Sequence, residues 1–142
     1  MKLNLKYESL LKYFLFLIAF QSLAIGLFLM FFPPELMRLL GFPIIFENFF
    51  KVQGGVFHLI MVAAYVMASA DPCKNSIMVV FSIITKVTSV IFLVIYFFFV
   101  SQYWIFIVAL FGEIAISSML IFLFFKFKKE LKSSKVVAMH KD

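Results

Sequence analysis

Lys86 and Glu113 each stand near the middle of an otherwise apolar stretch of about 20 residues, the length that crosses a bilayer. An ionisable side chain at the bilayer centre costs from about 2.5 kcal/mol on insertion scales to more than about 10 in simulations. It survives there by facing a protein interior and meeting a partner. At about 1.5 Å of rise per residue, Lys86 lies about 15 Å from the start of its stretch and Glu113 about 13 Å from the start of the next. Both are then close to the midplane of a core about 30 Å thick, on helices joined by a short link. Such a pair has three chemistries open to it. It can be a salt bridge that fixes helix register. It can exchange a proton or hold a polar head group, with His58 as a neighbouring titratable group. Or one of the two charges can pair in trans with a partner protein in the membrane.

Other polar and small residues fall at similar heights. Gln21 lies close to Ser22 and Gly26, and Gln53, Gly54, Gly55 and His58 follow in the second apolar stretch. Gly54, His58, Met61 and Tyr65 have helical spacing and share one face. Ser82, Thr85, Lys86 and Ser89 form a polar stripe, and Glu113 and Ser117 are one turn apart. In lipid such groups turn inward, and small residues let helices approach closely. The expected polar centre is therefore Lys86, Glu113, His58 and Gln21, with Gln53 nearby, and Gly54, Gly55 and Gly112 are the expected packing positions. His58 taken alone reads as a helix-packing histidine rather than a ligand.

Several chemistries are disfavoured. One cysteine, Cys73, excludes an internal disulfide and a CxxC motif. Of two histidines, His58 and His140, only His58 falls within a span, so one copy lacks the facing histidines of a buried b-type haem, and no metal site is expected. The net charge of +6 collects at the two ends of the chain, which suits anionic lipid head groups and not nucleic acid.

The elements that must position these residues are read from hydropathy. The chain is 142 residues long, 65% hydrophobic and 14% charged, against about 25% charged in soluble domains. Four spans are expected, at about 13–32, 52–70, 76–100 and 104–125, giving an all-α four-helix integral membrane bundle. Residues 1–12 form an N-terminal segment, 13–125 the membrane domain and 126–142 a basic tail read as a solvated membrane-surface anchor. The first apolar run is too long for a signal-peptide core and ends in Phe31-Phe32-Pro33-Pro34 without a small-residue cleavage site. Lys2, Lys6 and Lys12 precede the first span, and Lys126, Lys128, Lys129, Lys132, Lys135 and Lys141 follow the last. Both ends are therefore expected in the cytoplasm, as an even number of spans requires. The turn Asp71-Pro72-Cys73-Lys74-Asn75 then faces the same compartment, with Cys73 reduced. The 33–51 loop carries Arg38 and Lys51, offset by Glu35 and Glu47. After Pro33 and Pro34 comes a short amphipathic helix, Glu35 to Leu40, ended by Gly41 and Pro43 and expected to lie on the outer leaflet. Tyr103 and Trp104 open the fourth span as an aromatic belt would.

The run from Pro33-Pro34 through Leu40-Gly41-Phe42-Pro43 and Lys51-Val52-Gln53-Gly54-Gly55, followed by mid-span Lys86 and Glu113, resembles the DoxX-like superfamily of small four-helix bacterial membrane proteins. The resemblance covers about residues 13–125 and carries over Gly54, Lys86 and Glu113. Relatives commonly have arginine near the place of Lys51 and an Asn-Asp pair near Gly112-Glu113. Some members are membrane subunits linked to quinone-dependent sulfur oxidation or oxidative-stress responses, so the resemblance implies a bacterial inner membrane and, by analogy of fold, a quinone as the one conceivable cofactor. No other cofactor is expected. The expected role is non-catalytic: an accessory or assembly subunit beside a membrane redox or transport partner, with the bilayer and a partner protein or second copy as its contacts. Two alternatives stand beside it, a proton-coupled small-solute carrier using the Lys86–Glu113 pair and a quinone-linked oxidoreductase subunit.

Overall fold

The structure, a computed structural model, describes residues 6–42 and 48–139, with side chains through residue 134. Lys2, Pro43, Glu47, His140 and Lys141 lie outside the described residues, as does the side chain of Lys135. Every element among the described residues is an α-helix: α1 (Lys6–Phe31), α2 (Pro34–Leu39), α3 (Asn48–Ala70), α4 (Ser76–Phe99) and α5 (Trp104–Met139). Helices α1, α3, α4 and α5 are each long and apolar enough to cross a membrane, the make-up of a multi-pass membrane protein.

Three helices are longer than the apolar runs that announce them: α3 begins four residues early, at Asn48, and the other two extend further. α1 starts at Lys6 and α5 runs on to Met139, so the basic segment after 125 continues the last helix. Packing explains both extensions. Leu11, Leu15, Ile18 and Ser22 make one buried stripe down α1, and Leu120, Leu123 and Phe127 make another on α5, each at the three- and four-residue spacing of a helix face. Tyr7 and Leu131 pack against the same cluster. Glu130 closes this end. Its carboxylate oxygens accept hydrogen bonds from the backbone N–H groups of Lys6 at 3.1 Å and Tyr7 at 2.9 Å, which satisfies donors that a helix start leaves orphaned, at the positive end of its dipole. Lys126, Lys128, Lys129 and Lys132 stay exposed around this edge.

The four long helices close into a ring in the order α1, α3, α4, α5 and back to α1. Neighbours run antiparallel. Across the α1–α3 seam, Lys12 reaches the Ala70 carbonyl at 3.2 Å, Ser22 meets His58 and Gly26 meets Gly55. The turn between α3 and α4 is fixed by side chains that cap the end of α3: Asn75 donates to the Met67 carbonyl at 2.8 Å beside the Lys12 contact. The Lys74 backbone N–H donates to Asp71 at 3.0 Å, and this bond holds the exposed Asp71 carboxyl below the usual carboxylate range.

At the opposite end, Lys51 donates to the Phe32 carbonyl at 3.0 Å and caps α1. α2 begins with Pro34 at its first position, where a missing N–H costs nothing. It ends at Gly41, φ 88°, with the Phe42 N–H on the Met37 carbonyl at 3.1 Å and the Gly41 N–H on the Arg38 carbonyl at 3.0 Å. This pair of bonds is a Schellman motif. The Trp104 indole occupies the space a Cβ at Gly41 would need, so α5 starts against this turn. Met37 is buried, whereas Leu36, Leu39 and Leu40 are exposed.

A close backbone approach joins Gly26 and Gly55. A Cβ on Gly55 would stand 2.8 Å from the Gly26 carbonyl oxygen, and one on Gly26 would stand 3.0 Å from that of Gly55. Gly54 is in ordinary contact range, with Leu29 at 3.7 Å, and Gly112 has no neighbour within 4 Å. The expectation is therefore corrected for this chain: Gly112 packs against none of its own helices among the described residues. Glu113 turns into the bundle, and its predecessor, about 100° round the helix, faces out.

Substitution should separate these glycines. Gly55→Val is expected to push α1 and α3 apart and lower stability by about 1–3 kcal/mol, as overpacking does. Gly112→Ala should be neutral or stabilising by up to about 1 kcal/mol, the gain in helix propensity. Thermal unfolding in detergent, followed by loss of helix signal, measures both.

Candidate functional site

α4 and α5 are joined by a short link and lie antiparallel, which brings Lys86 and Glu113 together. The Lys86 ammonium donates to both Glu113 carboxylate oxygens, at 2.9 and 3.0 Å, and the two residues are 5% and 9% exposed. It also donates to Gln21 Oε1 at 3.4 Å, across the diagonal of the ring to α1. Its Nζ stands 5.9 Å from the centroid of the buried Tyr65 ring on α3, within cation–π range. One ammonium thus contacts the three other long helices.

His58 is tied to α1. The Ser22 hydroxyl lies 3.1 Å from His58 Nδ1 and donates to the His58 carbonyl at 3.0 Å. A hydroxyl has one proton. With that proton on the carbonyl, Nδ1 must be the donor toward Ser22, and a neutral ring presents Nε2 as an acceptor. The other hydroxyls of the α4 stripe divide into two kinds. Ser82 and Thr85 donate to the Met78 and Phe81 carbonyls one turn back, at 2.7 and 2.9 Å. Ser89 makes no hydrogen bond with its side chain among the described residues, nor does Tyr65. Ser117, one turn from Glu113, has a buried Oγ without a partner among the described residues.

A cavity of about 200 Å³ opens beside the ion pair. Its floor is Ser22, Tyr65, Lys86 and Glu113, all buried. Its rim is formed by Phe57, His58 and Met61 of α3 and Thr85 and Ser89 of α4, which are exposed or half-buried. On the α1–α5 side a second cavity, about 240 Å³, is lined by Phe14, Leu17, Ile18 and Ile116, with Gln21 as its one polar side chain.

Of the residues expected at the centre, Lys86, Glu113 and Gln21 are in contact, and His58 lines the same cavity. Gln53 is not there. It is exposed, about 140° round α3 from His58, and the expectation for it is corrected on that ground. Gly55, not Gly54, makes the close helix contact. The roles of Ser22, as the anchor of His58, and of Phe57 at the rim were not foreseen. The first follows a pattern that spacing hints at, since Ser22 falls on the stripe of Leu11, Leu15 and Ile18. The second depends on where the cavity opens. A separate group sits by the α3–α4 turn, where Glu8, Asp71 and Cys73 bring possible ligand atoms within 4.8 Å of one another; Asp71 there also pairs with Lys74 at 3.5 Å.

Comparison with known protein families, curated proteins and solved structures finds no match.

The ion pair makes a specific prediction. Glu113→Gln leaves Lys86 charged, buried and without its counter-charge, and should destabilise the bundle by about 3–5 kcal/mol. The exchange of both residues, Lys86→Glu with Glu113→Lys, should recover most of that loss. Melting curves of the wild type, the single variant and the exchange variant in one detergent test the pairing; an exchange variant no more stable than the single one would contradict it.

Proposed function

We propose that the protein is a small proton-coupled carrier in a bacterial inner membrane, with both chain ends on the cytoplasmic side. In this reading a small polar solute or head group binds beside Lys86 and Glu113. The observation that carries it is the cavity itself. An ion pair that only staples helices has no need of a space bordered by hydroxyls and a histidine with unspent hydrogen-bonding capacity. Two separated charges are costly in hydrocarbon. A ligand that parts the pair does so at least cost when Glu113 takes up a proton from the outer phase and Lys86 gives one up to the cytoplasmic phase, leaving a carboxylic acid and an amine. Transfer of the Glu113 proton to Lys86 then restores the pair and weakens the hold on the ligand, and one proton has moved inward per cycle.

The orientation rests on Lys6, Lys12, Lys126, Lys128, Lys129 and Lys132, which gather at one end of the bundle as cytoplasmic loops require. That arrangement puts α2, with Leu36 and Leu39 exposed, at the outer leaflet. Kinship with the DoxX-like bundles is part of the proposal, on the Pro33-Pro34, Lys86 and Glu113 layout. The accessory-subunit reading keeps one observation in its favour. Gly112 stands on the outer face of α5 with open space around it, where a partner helix would reach the backbone closely.

Reconstitution tests the carrier. Liposomes holding the purified protein are placed under an imposed pH gradient, and a panel of small polar solutes is scored for uptake. The wild type should accumulate at least one solute in a gradient-dependent way, and Glu113→Gln, checked to be folded by its helix signal, should not. Uptake that ignores both the gradient and the substitution would return Lys86 and Glu113 to a purely structural role.

A further inference from the structure

The place where the polar cavity opens says which phase its ligand comes from. Phe57 and Met61 are nine and thirteen residues into α3, and Thr85 and Ser89 are nine and thirteen into α4, or about 14 and 20 Å along each helix. Those helices have 23 and 24 residues. The rim therefore lies at half-height on both sides. Around the mouth, Phe57 and Ile60 on α3 and Phe81 and Phe92 on α4 are apolar and between 45% and 59% exposed, with Thr88 as an exposed hydroxyl between the two α4 phenylalanines and Gln53 one turn nearer the start of α3. A mouth at this height, in a chain inserted as proposed, faces hydrocarbon and not water.

The chemistry of the lining narrows the ligand further. Lys86 and Glu113 cancel each other's charge, so an added charged head would leave net charge at mid-depth, where it is most costly. The ammonium already donates to Glu113 and Gln21. What remains is a carboxylate with spare lone pairs, a His58 ring nitrogen as acceptor, and the Tyr65 and Ser89 hydroxyls as donors. A head group that uses both sets must donate and accept. Volume adds a third constraint. About 200 Å³ is below the roughly 300–1,000 Å³ of pockets that enclose a whole ligand. The cavity takes a head and leaves a chain outside.

We infer that the cavity receives its ligand laterally from the bilayer, between α3 and α4, and that the ligand is an amphiphile with a small uncharged hydroxyl head and an apolar tail. This deepens the carrier reading and rests on it: the head sits beside Lys86 and Glu113, with Tyr65 and Ser89 as its specificity residues, and the tail stays in lipid against Phe57, Phe81 and Phe92.

Photolabelling in vesicles tests this without requiring transport. The full-length protein in phosphatidylcholine vesicles is irradiated with a hexadecanol analogue carrying a diazirine next to the hydroxyl. Parallel samples receive a hexadecane diazirine or a water-soluble glycerol diazirine. Labelled positions are mapped by mass spectrometry. The alcohol probe should mark the segments 57–61 and 85–89, and excess hexadecanol should suppress the mark. Tyr65→Phe and Ser89→Ala, each confirmed as folded by melting, should each lower it about three- to tenfold, as the loss of one hydrogen bond implies. Equal labelling by the hexadecane probe, or no response to either substitution, would overturn the inference. Labelling by the glycerol probe alone would overturn lateral entry while leaving the carrier reading intact. No labelling by any probe would overturn both.

Discussion

The bundle is organised around one electrostatic constraint: a full positive and a full negative charge have been placed where solvent cannot reach them. Neither Lys86 nor Glu113 tolerates that position alone. Their mutual contact at 2.9 and 3.0 Å fixes the register of α4 against α5. The remaining donor capacity of the ammonium then draws in Gln21 from α1 and sets it over the Tyr65 ring of α3. Neighbouring helices in the ring touch along their sides, but the Lys86–Gln21 contact crosses its diagonal. Apolar packing fills the half of the bundle below that contact, from Leu11, Leu15 and Ile18 to Val79, Leu120 and Phe127. The polar centre decides where along each helix that packing must begin.

The two ends of the bundle are held by a different device. Each helix end leaves backbone donors or acceptors unpaired, and here long side chains from neighbouring elements supply the missing partners. Glu130 of α5 caps the start of α1, Lys51 of α3 caps its finish, and Lys12 of α1 caps the finish of α3. These charged residues are therefore bonded to backbone and are not simply solvated flanks. With the Gly41–Trp104 contact they tie the ends of α1, α2 and α3 to helices that do not follow them directly in the chain.

Much of this is legible in the sequence, and for physical reasons. Apolar run length gives the four long helices, and the depth of Lys86 and Glu113 gives their meeting, because antiparallel neighbours with a three-residue link leave little freedom of register. Helical spacing puts His58, Met61 and Tyr65 on one face, where the cavity is. The misreadings share a cause. Gln53 and Gly112 were placed by residue type, as a polar and a small residue at a suitable height. Whether a residue faces in or out, however, depends on the phase of the whole helix, which the stronger inward residues His58 and Glu113 determine. Choosing between Gly54 and Gly55 needs the crossing point of α1 and α3, which rests on Gly26 some thirty positions away. The extension of α5 is hidden because hydropathy weighs the lysines after 125 and misses the buried Phe127 and the half-buried Leu131 between them.

The direct, buried ion pair of Lys86 and Glu113 can be sought in a lipid bilayer. Solid-state NMR of the protein in lipid bilayers, with lysine side chains labelled with ¹⁵N and glutamate side chains with ¹³C, reads this contact directly. A strong dipolar coupling is expected between one ammonium nitrogen and one carboxylate carbon, absent from Glu113→Gln and unchanged in Glu130→Gln. A lysine–glutamate spectrum without that coupling, or one in which it survives Glu113→Gln, would rule out a direct Lys86–Glu113 pair.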